Sequence, residues 1–239
     1  MNTKLIFRAI LVVGVVVAVA GAASWFMRPD GNENPLKAGS GDSVTVLEFS
    51  ALNGFETLPK GWAHRTFWFT SPMQLAQKTH EGVVALNCKT DNGGSILGRN
   101  TDIDLAAFPL LSWDWFIEQP ITSEVDERTK AGDDHPARLL IRFEDTKGAP
   151  HFVEIIWSNR MFVPGDYKYI EDFPHYVANG LEANIGRWHH QQVDLLDIYR
   201  TTSGLKDNPK VRSVAIFCDS DNTGGQSSAY FSDVVLARR

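Results

Sequence analysis

Residues 137–145 read ARLLIRFED. Leu139, Ile141 and Phe143 share one parity, while Arg138, Arg142 and Glu144 share the other. Successive side chains of an extended chain point to opposite faces, so this stretch predicts a half-buried β-strand. Runs of β-branched and aromatic residues recur outward from it at 44–50, 64–70, 73–79, 82–89, 110–118, 151–158, 211–219 and 228–237. Turn-forming clusters such as DNGG (91–94) and DNTGG (221–225) separate them. Only VDLLDIYRTTS (193–203) has the pattern of a short helix. With no long amphipathic helix to make βαβ units, the expected fold is all-β, a β-sandwich of jelly-roll type over residues 44–239.

The chain has 239 residues, with 23 Lys and Arg against 29 Asp and Glu and a net charge of -6. That balance argues against nucleic acid as a partner, because phosphates need clustered basic residues. Two cysteines are too few for a disulfide scaffold or a cysteine zinc site. Cys88 and Cys218 both fall on predicted strands, where they make either a disulfide or two buried thiols.

Export is written at the N-terminus. Ala9 to Met27 carries no charge and follows Lys4 and Arg8. As a helix this run spans roughly 28 Å, close to the hydrocarbon thickness of a bilayer. The expectation for 1–27 is a single-pass anchor in the inner membrane, with the C-terminal body in the periplasm. The alternative is a signal peptide cleaved after small residues such as Ala18-Val19-Ala20. Residues 28–43, RPDGNENPLKAGSGDS, read as a flexible linker.

Two loops carry candidate chemistry. In AGDDHPAR (131–138), the adjacent acids Asp133 and Asp134 precede Arg138. Such acids hold a hard cation, act as acid and base, or simply make a turn. In DSDNTGG (219–225), Asp219, Asp221 and Thr223 alternate, as oxygen ligands do in calcium loops. Residue 230 is Tyr where an EF-hand needs Glu, which leaves a different oxygen site or an Asx-rich turn. Trp113 and Trp115 share a strand face and read as core. His189-His190 lacks metal-ligand spacing, and neither HExxH nor GxSxG occurs.

LPKGW (58–62), FPLLSWDWFI (108–117), AGDDHPARLLIRF (131–143), IIWSN (155–159) and SVAIFCDSDNTGGQSSAYFSDVVL (213–236) together resemble the bacterial family named domain of unknown function 3047. The resemblance runs from about Leu47 to Leu236 and is loose over 160–176. It implies an exported bacterial domain with loops at Asp133/Asp134 and Asp219/Asp221 that the family shares. More weakly, FSALNGF (49–55), the Gly61-Trp62 pair and the closing YFSDVVL are similar to galactose-binding-like jelly-roll modules. That likeness implies neighbouring first and last strands that share a structural calcium, at the positions of Glu48 and Asp233.

The reading is an envelope protein that binds a glycan or another polar ligand. Its expected ligand residues are Asp133, Asp134, Arg138, Trp157, Asn159, Asp219, Asp221, Asn222 and Thr223, with Trp157 as a stacking face. The alternatives are a polysaccharide hydrolase or lyase using the loop carboxylates, and a structural partner of another envelope protein. If the strands flanking the two acidic loops are antiparallel neighbours, the loops share one edge of the sandwich.

Overall fold

The computed structural model describes residues 34–52 and 54–239. The expected anchor or signal segment 1–27 and the first part of the linker lie outside them. Among the described residues no helix is long and apolar enough to cross a membrane. The remainder of the linker is tied down at Leu36, whose amide donates to Asn100 (3.0 Å) and whose carbonyl accepts from Asp102 (2.8 Å).

The strands are β1 (Ser43–Leu47), β2 (Trp62–Thr66), β3 (Gln74–His80), β4 (Val83–Asp91), β5 (Gly94–Asp104), β6 (Leu110–Gln119) and β7 (Arg138–Glu144). After them come β8 (Pro150–Ser158), β9 (Tyr167–Ile170), β10 (Phe173–Gly180), β11 (Trp188–Asp194), helix α1 (Leu195–Ser203), β12 (Lys210–Asp219), β13 (Gln226–Phe231) and β14 (Val234–Ala237). One sheet runs β1-β14-β6-β13-β4-β3, with β11 also on β6. The other runs β2-β5-β12-β7-β8-β10-β9. The first and last strands pair, Val44 opposite Leu236. The β-sandwich expected from the sequence is therefore the architecture observed.

The 228–237 run is two strands that follow one another along β6, interrupted at Ser232 and Asp233. Strands β5, β9, β10 and β11 had no clear signature. In β5 the strand pattern is broken by glycine for a steric reason: a Cβ at Gly98 would lie 2.5 Å from the Ala215 Cβ on β12, and one at Gly94 2.7 Å from the Asp219 Cβ. Helix α1 forms where predicted. Asp194 caps its first turn by accepting from the Asp197 amide, and Gly204 ends it in the left-handed region at φ 71°.

The core between the sheets is aromatic and aliphatic. Trp113, Trp115 and Trp157 are fully buried and meet edge to face, at 5.2 Å and 5.7 Å between ring centroids. Trp157 is thus a core residue and offers no stacking face to a ligand, because its parity on β8 points it inward with Val153 and Ile155. Cys88 on β4 and Cys218 on β12 form a disulfide that joins the two sheets. Of the two alternatives for these residues, the disulfide is the one present.

A carboxylate-rich loop end

Strands β7 and β12 are antiparallel neighbours with Phe217 opposite Arg138. The start of β7 therefore lies beside the end of β12, and the two acidic loops meet. The Asp219 carboxylate accepts from the His135 amide (3.1 Å) and from the Arg138 guanidinium. Asp134 accepts the amides of Asn222 (3.2 Å) and Thr223 (2.6 Å) and the Thr223 hydroxyl (2.6 Å). Asn222 thus contributes through its backbone. Asn159 donates its side-chain amide to the Asp134 carbonyl (2.8 Å). Oxygens of Asp134, Asp219 and Asp221 all lie within 4.8 Å of one another.

Behind this triad is a buried ionic network. Arg138, 1% exposed, reaches Glu154 (2.5 Å) and the Asp133 carbonyl (2.7 Å), and its guanidinium lies over the Phe217 ring. Lys168 on β9 uses all three ammonium protons, on the Glu127 carbonyl (3.0 Å), Asp133 (2.6 Å) and His135 Nε2 (2.9 Å). His135 then donates from Nδ1 to the Trp157 carbonyl (2.8 Å). His175 on β10 lies 3.1 Å from Glu154 and 3.5 Å from Asp133. Glu127 fastens the β8–β9 connection by accepting from Ser158, Asn159, Arg160 and Met161.

The protonation states follow from this wiring. Burial and the Lys168 charge push His135 down to about 4, so the ring is neutral. Burial works against the charged form of Glu154, but Arg138 and His175 outweigh it and hold the group at about 2. The same competition leaves Asp133 well below its ordinary value, through the neighbouring His175 and the Arg138 charge. For His175, Glu154 and Asp133 overcome burial and raise the pKa. Asp219 goes the other way. Burial and the charges of Asp134 and Asp221 raise it well above the usual carboxylate range, and Arg138 offsets only part of this. Asp221 is also raised, by burial and by Asp134. The surplus of negative charge is therefore local to the triad, while the network behind it is balanced.

His135 gives a pH prediction. The unfolded chain takes up a proton on this residue near pH 6.5, whereas the folded chain refuses it until about 4. Its stabilising contribution is present above pH 6.5 and is lost as pH falls towards 4, on the order of 3 kcal/mol in all. The stability advantage of wild type over His135→Asn, measured by urea unfolding, should shrink from pH 7 to pH 4.5. An advantage constant over that range would contradict the assignment.

Asp133, Asp134, Arg138, Asn159, Asp219, Asp221, Asn222 and Thr223 are thus gathered at one end of the sandwich, and Trp157 lies in the core behind them. Glu48 and Asp233 stand elsewhere. Asp233 accepts the Ser50 amide (2.9 Å) and hydroxyl (2.6 Å), while Glu48 is exposed at the end of β1. Among the described residues the group of three whose oxygens converge is Asp134, Asp219 and Asp221. Two aromatic residues open to solvent, Trp68 (88% exposed) and Phe69 (102%), stand in the β2–β3 loop, which reaches the acid end. That loop is pinned there by Ser71, whose carbonyl accepts from Gly94, the residue paired with Asp219.

No curated protein matches the chain in sequence. Among solved structures the chain is similar to the family 11 carbohydrate-binding module from Clostridium thermocellum in complex with a β-1,3-1,4-mixed-linked tetrasaccharide. That match has 8% identity and a TM-score of 0.39, over 78% of this chain and 94% of the module. It is also similar to the family 30 carbohydrate-binding module of a Clostridium thermocellum cellulosomal cellulase, at 13% identity and a TM-score of 0.39, over 74% and 86% of the two chains. Similarity at this level says nothing of this chain's own ligand. The model of the family described as "Protein of unknown function (DUF3047)" matches residues 60–235, and the chain belongs to that family.

Proposed function

We propose that this member of the DUF3047 family is an exported binding module for a hydroxyl-rich ligand, a glycan of the cell envelope, taken at the acid end of the sandwich. The observation that carries this reading is the convergence of Asp134, Asp219 and Asp221 from two separate loops. The raised pKa values of Asp219 and Asp221 mark a place that wants a proton or a cation. A divalent cation held by the three carboxylates would relieve the repulsion and keep positions open for sugar hydroxyls. Asp221 is exposed, so a ligand reaches the site from its side. Trp68 supplies the flat apolar surface on which the C–H face of a sugar ring stacks. Export is supported by the Cys88–Cys218 disulfide, a bond of oxidising compartments, and by the basic-led apolar run Ala9–Met27.

Binding is favoured over hydrolysis because Asp134 and Asp219 are buried, at 0% and 3% exposure. A glycosidase needs two carboxyls that both reach the scissile bond. Affinity electrophoresis through gels containing soluble envelope polysaccharides, with calcium or with chelator, tests the proposal. Wild type should be retarded by at least one polysaccharide, and Trp68→Ala and Asp221→Asn should each weaken that retardation about tenfold or more. Retardation equal to wild type in both variants would refute it.

A further inference from the structure

We propose a second binding site, for an uncharged saccharide, in the cleft between the edge strands of the two sheets. The cleft has a volume of about 720 Å³ and is lined by Phe55, Glu56, His64, Met73, Leu75 and Gln77, among others. That is within the range of about 300–1,000 Å³ typical of small-molecule sites. It lies where β2 ends one sheet and β3 ends the other, so no further strand closes it.

The chemistry of the walls selects the ligand. Phe55, Met73 and Leu75 give an apolar side. Polar groups face them, and their hydrogen-bonding capacity is only partly used. The Ser95 hydroxyl accepts the Met73 amide (3.0 Å) and lies 2.9 Å from His64 Nε2. The Ser95 hydroxyl can accept twice and donate once, so it partners His64 Nε2 in either tautomer, and His64 Nδ1 is left to the cleft as a donor or an acceptor. Burial lowers the His64 pKa, in keeping with a neutral ring. Gln77 spends its NH₂ on the carbonyls of Phe49 (2.9 Å) and Ser50 (3.0 Å), which leaves its side-chain oxygen as an acceptor. Glu56 adds a carboxylate and Thr57 a hydroxyl.

The lining has no Lys or Arg, and its one charge is negative. An anionic ligand is therefore disfavoured, while hydroxyl groups find acceptors in Glu56 and Gln77 and a hydrogen-bond partner in His64. A molecule with an apolar face and a hydroxyl-bearing edge, the form of a neutral pyranose, matches both sides of the cleft. The site owes nothing to the carboxylate triad, so it stands whether or not the acid end binds a glycan.

NMR of the His64 ring signals tests this in the full folded domain, with chelator present and in the Asp221→Asn background, which removes the acid end from the readout. The probes are cellotetraose, mannotetraose and, as the anionic control, tetragalacturonate. At least one neutral probe should shift the His64 signals saturably, and Glu56→Gln combined with Thr57→Ala should weaken that response about fivefold or more. Both of those side chains are exposed, so the variant keeps its fold. His64 signals unmoved by both neutral probes, moved equally by tetragalacturonate, or unaffected by the double variant would overturn the proposal.

Discussion

Replacing Arg138 by leucine is expected to lower the unfolding free energy by about 3–5 kcal/mol. The guanidinium is the shared counter-ion of Glu154, Asp219 and Asp133, which all lie within 4 Å of it. Its removal leaves Asp219 buried without a compensating cation and Glu154 with His175 alone, and an uncompensated buried charge costs more than the pair contributed. Arg138→Lys should recover only part of the loss, because one ammonium cannot fork between Glu154 and Asp219 as a planar guanidinium does. Urea unfolding followed by circular dichroism measures both variants. A loss under about 1 kcal/mol for Arg138→Leu would mean that the network does not hold the two loops together.

The second large effect belongs to the disulfide. Cys88 and Cys218 are 130 residues apart in sequence, and a cross-link that closes a long loop restricts the unfolded chain strongly. Cys88→Ala with Cys218→Ala should cost about 2–5 kcal/mol, and reductant should lower the melting midpoint of wild type but not of the double variant. Because Cys218 precedes Asp219, ligand binding at the acid end should weaken along with stability. A wild-type midpoint insensitive to reductant, or two free thiols titrated without it, would contradict the bond.

The sandwich was legible because its central strands alternate or run apolar: 137–145 and 211–219 declare themselves by burial alone. The convergence of the two loops followed from placing these strands side by side, which β7 and β12 do. What stayed hidden has physical reasons. β5 carries glycines required by the close approach of Ala215 and Asp219. β9 and β10 bring Lys168 and His175 into the network, and side chains chosen for charge erase the apolar pattern of a strand. They lie within or beside 160–176, the segment where the family resemblance is loose. Glu127 gave no signal either, because its work is to accept four bonds from a loop distant in sequence. Trp157 misled because type alone does not separate a stacking ring from a core ring, whereas strand parity does. Asp134 has a mixed role: its three bonds to Asn222 and Thr223 make it part of the turn itself, so Asp134→Asn disturbs the fold as well as the site.

Asp221 is free of that ambiguity: its residue is exposed, and desolvation of its carboxylate together with the Asp134 charge raises its pKa. The most direct measurement is therefore the melting of chelator-stripped protein against calcium, for wild type and Asp221→Asn. Wild type should melt later as calcium rises, gaining about 2.7 kcal/mol at a hundredfold excess over Kd. Asp221→Asn should melt without calcium at or above the wild-type midpoint, since one repelling charge is gone, and should not respond to calcium. A wild-type midpoint unmoved by calcium, or a calcium response retained in Asp221→Asn, would contradict the account.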